Sequence, residues 1–301
     1  MTNKNDNWTS ASKRGSSWLT LNIIFAVLVI GAVWVYAVGR QEQLAQRNGN
    51  PQAAVEVDGT ETSIPVYWGD LGRRMVQAGV IDRENFLALY EPRGGLNDAE
   101  LKLVDGTVSG ELVVSQKNAG LLLNLLWALG LGNKNPVLEE GPMADPRYGD
   151  SGRFASTGGW TLAKGEAMSH YSRHEFLTLT PEQQELVERV AKNIYRPCCD
   201  NSTYFPDCNH GMAMLGLLEL MASQGVSEKE MYRVALIMNS YWFPSQYATI
   251  ARYLESQGLS PQAVAPREIL GEEYSSASGF SRVAALAPRE PERSGGGSCG
   301  V

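Results

Sequence analysis

The stretch Trp18 to Gly39 (WLTLNIIFAVLVIGAVWVYAVG) constrains the fold of this chain more than any other. Its 22 residues carry no charge, and Asn22 is its one strongly polar side chain. About 20 apolar residues, at about 1.5 Å rise each, span the hydrocarbon core of a bilayer. Trp18 stands at one end and Trp34 and Tyr36 near the other, where amphipathic rings settle at a membrane interface. A cleaved secretory signal is the rival reading, with Ala37, Val38 and Gly39 as small residues at a cleavage site. The apolar run is longer than a usual signal core, which favours a retained single-pass anchor. Lys4, Lys13 and Arg14 precede it and Arg40 and Arg47 follow, which orients the N-terminus to the cytoplasm.

The expected organisation follows from that anchor. Residues 1–17 form a cytoplasmic segment, 18–39 the transmembrane helix and 40–57 a polar spacer. Residues 58–272 form an extracytoplasmic, mainly α-helical bundle with a small β-hairpin, and 273–301 a flexible tail. Of the 301 residues, 26 are Lys or Arg and 33 Asp or Glu, a net charge of −7. That balance excludes nucleic acid as a partner, because phosphate neutralisation needs basic density. An apolar content of 43% is enough for a real core.

Within the soluble part, helical patterns run from Trp68 to Ala78 and from Asp82 to Tyr90. Leu101–Val114 (LKLVDGTVSGELVV) carries Asp-Gly and Ser-Gly turn signals and reads as the hairpin. The Leu-rich run Leu121–Leu129 reads as a central buried helix, and 132–160 as a long loop. Thr180-Pro181-Glu182-Gln183 is a capping box with Pro at the first helical position. Asp207 or Asn209 can cap a helix to Gln224, Ser227 caps the next, and Pro244 opens another.

Chemistry concentrates in one window. His170, His174, His210, Cys198, Cys199 and Cys208 all lie between residues 170 and 210, and only Cys299, in the tail, lies elsewhere. The segment Cys198–Met214 offers three thiols, the His210 imidazole and the thioethers of Met212 and Met214. Thiolate and imidazole suit zinc, and added thioether moves the preference toward copper(I). Cys208 with Met212, and His210 with Met214, share a helix face at spacing four. His170 and His174 also stand four apart and would face one way on a helix. Cys198, Cys199, Cys208 and His210 are the first candidate ligands; Met212, Met214, His170 and His174 are the second.

The same thiols allow other readings. Cys208 falls where a helix begins, a position that favours thiolate, and Cys199 could serve as its partner in a thiol–disulfide oxidoreductase. The neighbours Cys198 and Cys199 pair poorly with each other because the bridge strains the intervening peptide. A third reading is an anchored interaction domain whose cysteines only staple a loop. A metal-handling or sensing role, with a thiol-bearing or metal-transfer protein as partner, fits the residues best. No phosphate-binding loop, strand-linked Gly-rich dinucleotide motif or His-Glu-x-x-His occurs.

Residues 196–240 resemble the thiol-reductase domain of the CcmH-type cytochrome c maturation proteins. The likeness runs through Arg196-Pro197-Cys198-Cys199, Asp207-Cys208-Asn209, Met212-Ala213 and Gly225-Val226-Ser227-Glu228-Lys229-Glu230. It implies a small helical bundle that handles thiols outside the cytoplasm. The chain departs from that family in its adjacent loop cysteines, in a loop longer by one residue, in Cys208 where the family has Ser, and in the N-terminal place of its apolar stretch.

Overall fold

In the computed structural model, residues 61–288 are described, and all belong to the unit Gln52–Val301. Strand β1 (Thr62–Gly69) pairs antiparallel with β2 (Val108–Val114), with Thr62 opposite Val114 and Ile64 opposite Leu112. Alternation along β1 buries Ile64, Val66 and Trp68 and leaves Tyr67 outside, the period-two pattern of a half-buried strand. Between the strands lie helices α1 (Leu71–Ala78), α2 (Arg83–Ala88) and α3 (Asp98–Asp105).

The expected hairpin at 101–114 is therefore corrected. Asn97 and Glu100 form a reciprocal capping box, which starts α3 and takes Leu101–Asp105 into a helix. Strand β2 then finds its partner in β1, across three helices, because Leu112 and Val114 need a buried face opposite Ile64 and Thr62.

The centre of the fold is a pair of helices, α4 (Ala119–Gly132) and a later one, α6 (Asn209–Ser223). Both are apolar around most of their circumference, so both are enclosed. They touch backbone to backbone at Gly130 and Gly216. A Cβ on Gly130 would lie 2.2 Å from the Met212 carbonyl oxygen, and one on Gly216 2.4 Å from that of Leu126. Helix α5 (Pro181–Ala191), with its Thr180 capping box intact, packs on α6. Helices α7 (Glu228–Trp242) and α8 (Pro244–Ser256) continue the bundle. Within the stretch expected as a tail, α9 (Ala277–Leu286) packs against α8.

The long connection expected from 132 onward is held by buried indoles. Trp127 Nε1 donates to the Ser156 carbonyl at 2.7 Å, and Trp160 Nε1 to that of Val80 at 2.8 Å. The sequence shows its Gly and Pro, and the two tryptophans supply the tertiary ties.

Among the described residues no helix is long and apolar enough to cross a membrane. The expected anchor at 18–39, its flank 1–17, the spacer through residue 57 and Cys299 all lie outside the described residues. The expectation of a single-pass chain with an extracytoplasmic bulk is corrected accordingly. The described fold is mainly helical with one two-stranded sheet.

Candidate metal centre

The three clustered cysteines meet where α6 begins. Arg196 to Cys199 forms a tight turn, with Pro197 second and the Cys199 N–H donating to the Arg196 carbonyl at 3.3 Å. Cys198 is thereby lifted to the turn's outer corner and is exposed. Past the turn, the loop is fastened to the start of α9. The Ala277 N–H donates to the Cys199 carbonyl at 3.0 Å, and the Ser278 N–H to Asp200 Oδ1 at 2.7 Å. The Thr203 N–H returns to the Ile194 carbonyl at 2.8 Å, closing the loop on the end of the α5 segment.

Cys208, rather than Asp207 or Asn209, is the residue that caps α6. Its backbone is extended (φ −117°, ψ 164°), and its Sγ accepts from the Gly211 N–H at 3.4 Å. A sulfur thus does what a Ser or Asp oxygen does at other helix starts.

The sulfurs form a triangle. Cys198 Sγ lies 3.4 Å from Cys208 Sγ and 4.0 Å from Cys199 Sγ, and Cys199 Sγ lies 3.7 Å from Cys208 Sγ. His210 Nδ1 is 4.0 Å from Cys198 Sγ, and Asp207 Oδ1 is 3.8 Å from Cys199 Sγ. Two ligand sets result, Cys198 with Cys208 and His210, and Cys199 with Asp207 and Cys208, each with its atoms within 4.8 Å of one another. Cys208 belongs to both.

Sequence reasoning passed over the residue that organises this site. Arg196 is almost wholly buried, at 1% exposure. Its Nε donates to Cys208 Sγ at 3.1 Å, and its terminal nitrogens donate to Asp207 Oδ1 at 2.8 Å and to the carbonyls of Asn201 (2.8 Å) and Phe205 (3.3 Å). Asp207 is held in turn by Asn201 Nδ2 at 2.8 Å. A cation at a helix N-terminus opposes the helix dipole. It persists here because Asp207 and the Cys208 sulfur bring negative charge to the same point. Burial disfavours the guanidinium cation; the Cys208 sulfur and the Asp207 carboxylate beside it outweigh burial and hold it. Gly211 makes room, since a Cβ there would sit 2.4 Å from the guanidinium. The legible trace of this in the sequence is an Arg directly before Pro-Cys-Cys.

Proton distribution follows from these contacts. The Cys208 thiol is driven far down, first by hydrogen bonds from Cys198 and Cys199, and further by His210 and Arg196. Cys198 is pushed up, because its hydrogen bonds to the neighbouring sulfurs and its burial both favour the thiol. At Cys199 the hydrogen bond from Cys198 lowers the value, while the bond to Cys208 and burial raise it, leaving it at about 12. Cys208 is the sulfur that both the Arg196 guanidinium and the Gly211 N–H meet.

The remaining sequence candidates are placed as follows. The His210 ring packs at 4.4 Å from Phe243 and 5.9 Å from Trp242, so the aromatic corner at the end of α7 walls one side of the site. Met212 and Met214 are fully buried and belong to the hydrophobic core. His170 and His174 are not on a helix. A turn through Ser172 (φ 52°) brings them together, and His174 pairs with Asn133. The Lys164 carbonyl can only accept, so His170 Nε2 donates to it at 3.0 Å, and His170 Nδ1 meets His174 Nε2 at 3.0 Å. Both nitrogens of His170 are engaged, and burial lowers the pKa of His174. The pair is a structural clasp with its own partners.

No family model, curated protein or solved structure matches the chain.

Proposed function

We propose that this protein binds a soft or borderline metal ion, zinc in the first place and copper(I) as the competing ion, in a metal-handling or sensing role. The reading rests on one observation, the sulfur triangle of 3.4, 3.7 and 4.0 Å beside His210. Two sulfurs bound to one tetrahedral zinc at about 2.3 Å lie about 3.8 Å apart. The three thiols come from the turn at Cys198–Cys199 and from the start of α6, and they meet beside an imidazole and a carboxylate. Cys198, Cys208 and His210 are the proposed ligands, with Cys199 as the fourth donor and Asp207 as its alternative. With the thioethers of Met212 and Met214 in the core, the donors are thiolate, imidazole and carboxylate, the set that zinc takes most readily.

Arg196 would then neutralise part of the thiolate charge and fix Cys208, as groups hydrogen-bonded to metal ligands do. The exposed Cys198 is the side from which an ion enters or passes to a thiol-bearing partner.

The test is metal analysis of the reduced full-length chain after exposure to zinc and, separately, to copper(I). One ion per chain, lost in Cys208→Ser and in a His210→Ala, Cys198→Ser pair, is the expected result. Uptake that survives Cys208→Ser would overturn the reading.

A further inference from the structure

Cys208 stands in both ligand sets, and its nearest sulfur neighbour is Cys198 at 3.4 Å. Cys198 and Cys199 differ in how far their surroundings hold them. Cys199 is tied through its carbonyl to Ala277 and through its N–H to Arg196, and its Sγ lies against Asp207 and the Asn201 carbonyl. Cys198 occupies the outer corner of the turn and is the most exposed of the three. A disulfide needs its sulfurs at about 2.0 Å, so Cys198 has to approach Cys208 by about 1.4 Å. A side-chain rotation at an exposed turn supplies that without moving α6. The vicinal pair Cys198–Cys199 is disfavoured by strain in the peptide between them.

We infer that Cys198 and Cys208 form a reversible disulfide that empties the metal site, so that metal binding and oxidation exclude each other. The inference concerns the regulation of the proposed centre and rests on the metal reading for its second half. The oxidant is hydrogen peroxide, with solvent water as the proton source. Cys208 sulfur attacks the distal peroxide oxygen, the O–O bond breaks, and the leaving hydroxide takes a proton to become water. The Cys208 sulfenic acid is then displaced at sulfur by Cys198; the S–S bond forms, and the hydroxyl leaves as a second water with the Cys198 proton. Two electrons pass from the sulfurs to the peroxide, and the bound ion departs with its charge unchanged. A thiol reductant reverses the step by exchange.

The consequence is sharper than the loss of one ligand. Since Cys208 serves both sets, one bond removes both, and Cys199 with Asp207 or His210 cannot replace them. Arg196 keeps its bonds to Asp207 and to the two carbonyls, so the loop stays folded around an oxidised pair.

The experiment treats the reduced full-length chain with stoichiometric hydrogen peroxide, with and without bound zinc, and maps the linkage by mass spectrometry of peptides. The expected linkage is Cys198–Cys208, with titratable thiols falling from the four of the sequence to two. Zinc uptake should be lost on oxidation and restored by dithiothreitol, and prior zinc loading should slow the oxidation at least tenfold. Cys199→Ser should still form the bond. A dominant Cys199–Cys208 linkage, stable over-oxidation of Cys208 without a bridge, or an oxidised protein that still takes up zinc would overturn the inference while leaving the metal reading in place. Formation of the Cys198–Cys208 bond in a reduced protein that never took up zinc would do the reverse. It would remove the metal reading and leave the disulfide.

Discussion

Two buried ionisable side chains, Arg196 beside the start of helix α6 and Glu219 near its other end, are accommodated differently. At the helix start, Arg196 is enclosed with Asp207 and the Cys208 sulfur, so that opposite charges share one site. Farther along, Glu219 is fully buried, and among the described residues no salt bridge involves it. Its carboxyl oxygens accept instead from Asn135 Nδ2 at 2.6 Å and Asn133 Nδ2 at 3.0 Å. Those amides cannot turn around. Asn133 Oδ1 already accepts from the Leu177 N–H, and Asn135 Oδ1 from the Val137 N–H and Gln184 Nε2. The first centre opens to solvent through Cys198 and presents donor atoms to an ion. The second is sealed, and its bonds tie α6 to the segment after α4 and, through the amides, to 177 and α5. Compensation by charge with an open side makes a reactive site; compensation by amides in a closed one makes a structural joint.

The largest expected effect comes from breaking the charged centre. Arg196→Met removes the guanidinium bonds to Asp207, to Cys208 and to the carbonyls of Asn201 and Phe205, and removal of one partner of a buried ion pair costs about 3–5 kcal/mol. Chemical denaturation measures it, and a loss under about 1 kcal/mol would show that the pair contributes little. Arg196→Lys should recover only part, because a point ammonium cannot reach sulfur, carboxylate and two carbonyls at once.

Glu219→Gln tests the sealed centre. The new Nε2 must face an amide donor, an orphaned pairing that costs roughly 1–3 kcal/mol. The same variant isolates a pH dependence. Burial raises the Glu219 pKa well above the usual carboxylate value, against a lesser lowering by the two asparagines. Its stabilising contribution is complete below the unfolded-state value of about 4.3 and is lost as pH rises through the higher folded value. Wild-type stability minus that of Glu219→Gln should therefore fall with rising pH above about 4.3. A difference that rose instead would mean the carboxylate is held ionised by its amides.

Gly216→Ala probes the helix crossing that both centres depend on. Its Cβ would meet the Leu126 carbonyl, and overpacking of this kind costs about 1–3 kcal/mol. The smallest expected change in stability is Cys208→Ser. Serine is an equally good N-cap and Asp207 still faces Arg196, so the metal-free protein should lose only about 1 kcal/mol on thermal unfolding, while metal uptake is lost. A large loss of stability there would mean that the sulfur's role is packing.

Much of the helical framework could be read directly. The capping signals at Thr180 and Ser227 and the Pro at 244 are local, and local hydrogen bonds start the helices where they stand. The start of α6 was legible only to within two residues, because sulfur is an uncommon cap and Asp207 was the more familiar choice. Strand β2 was legible as extended but its partner was not, since strand pairing spans more than 40 residues of chain between Ile64 and Leu112. The His170 and His174 spacing suggested a shared helix face; Ser172 in the left-handed region produces proximity by a turn instead.

The cysteines' identity and their crowding near 200 are properties of the sequence, and they limited the chemistry to thiols and imidazole before any fold was known. Which of those groups meet was decided by tertiary structure. Metal-ligand geometry is set by distances of a few ångströms between segments, and residue spacing along a chain does not contain them. Arg196, Asp207 and Glu219 owe their roles to burial, which depends on what the rest of the chain packs around them. The same composition would leave a carboxylate or a guanidinium in water, where its partners would matter far less.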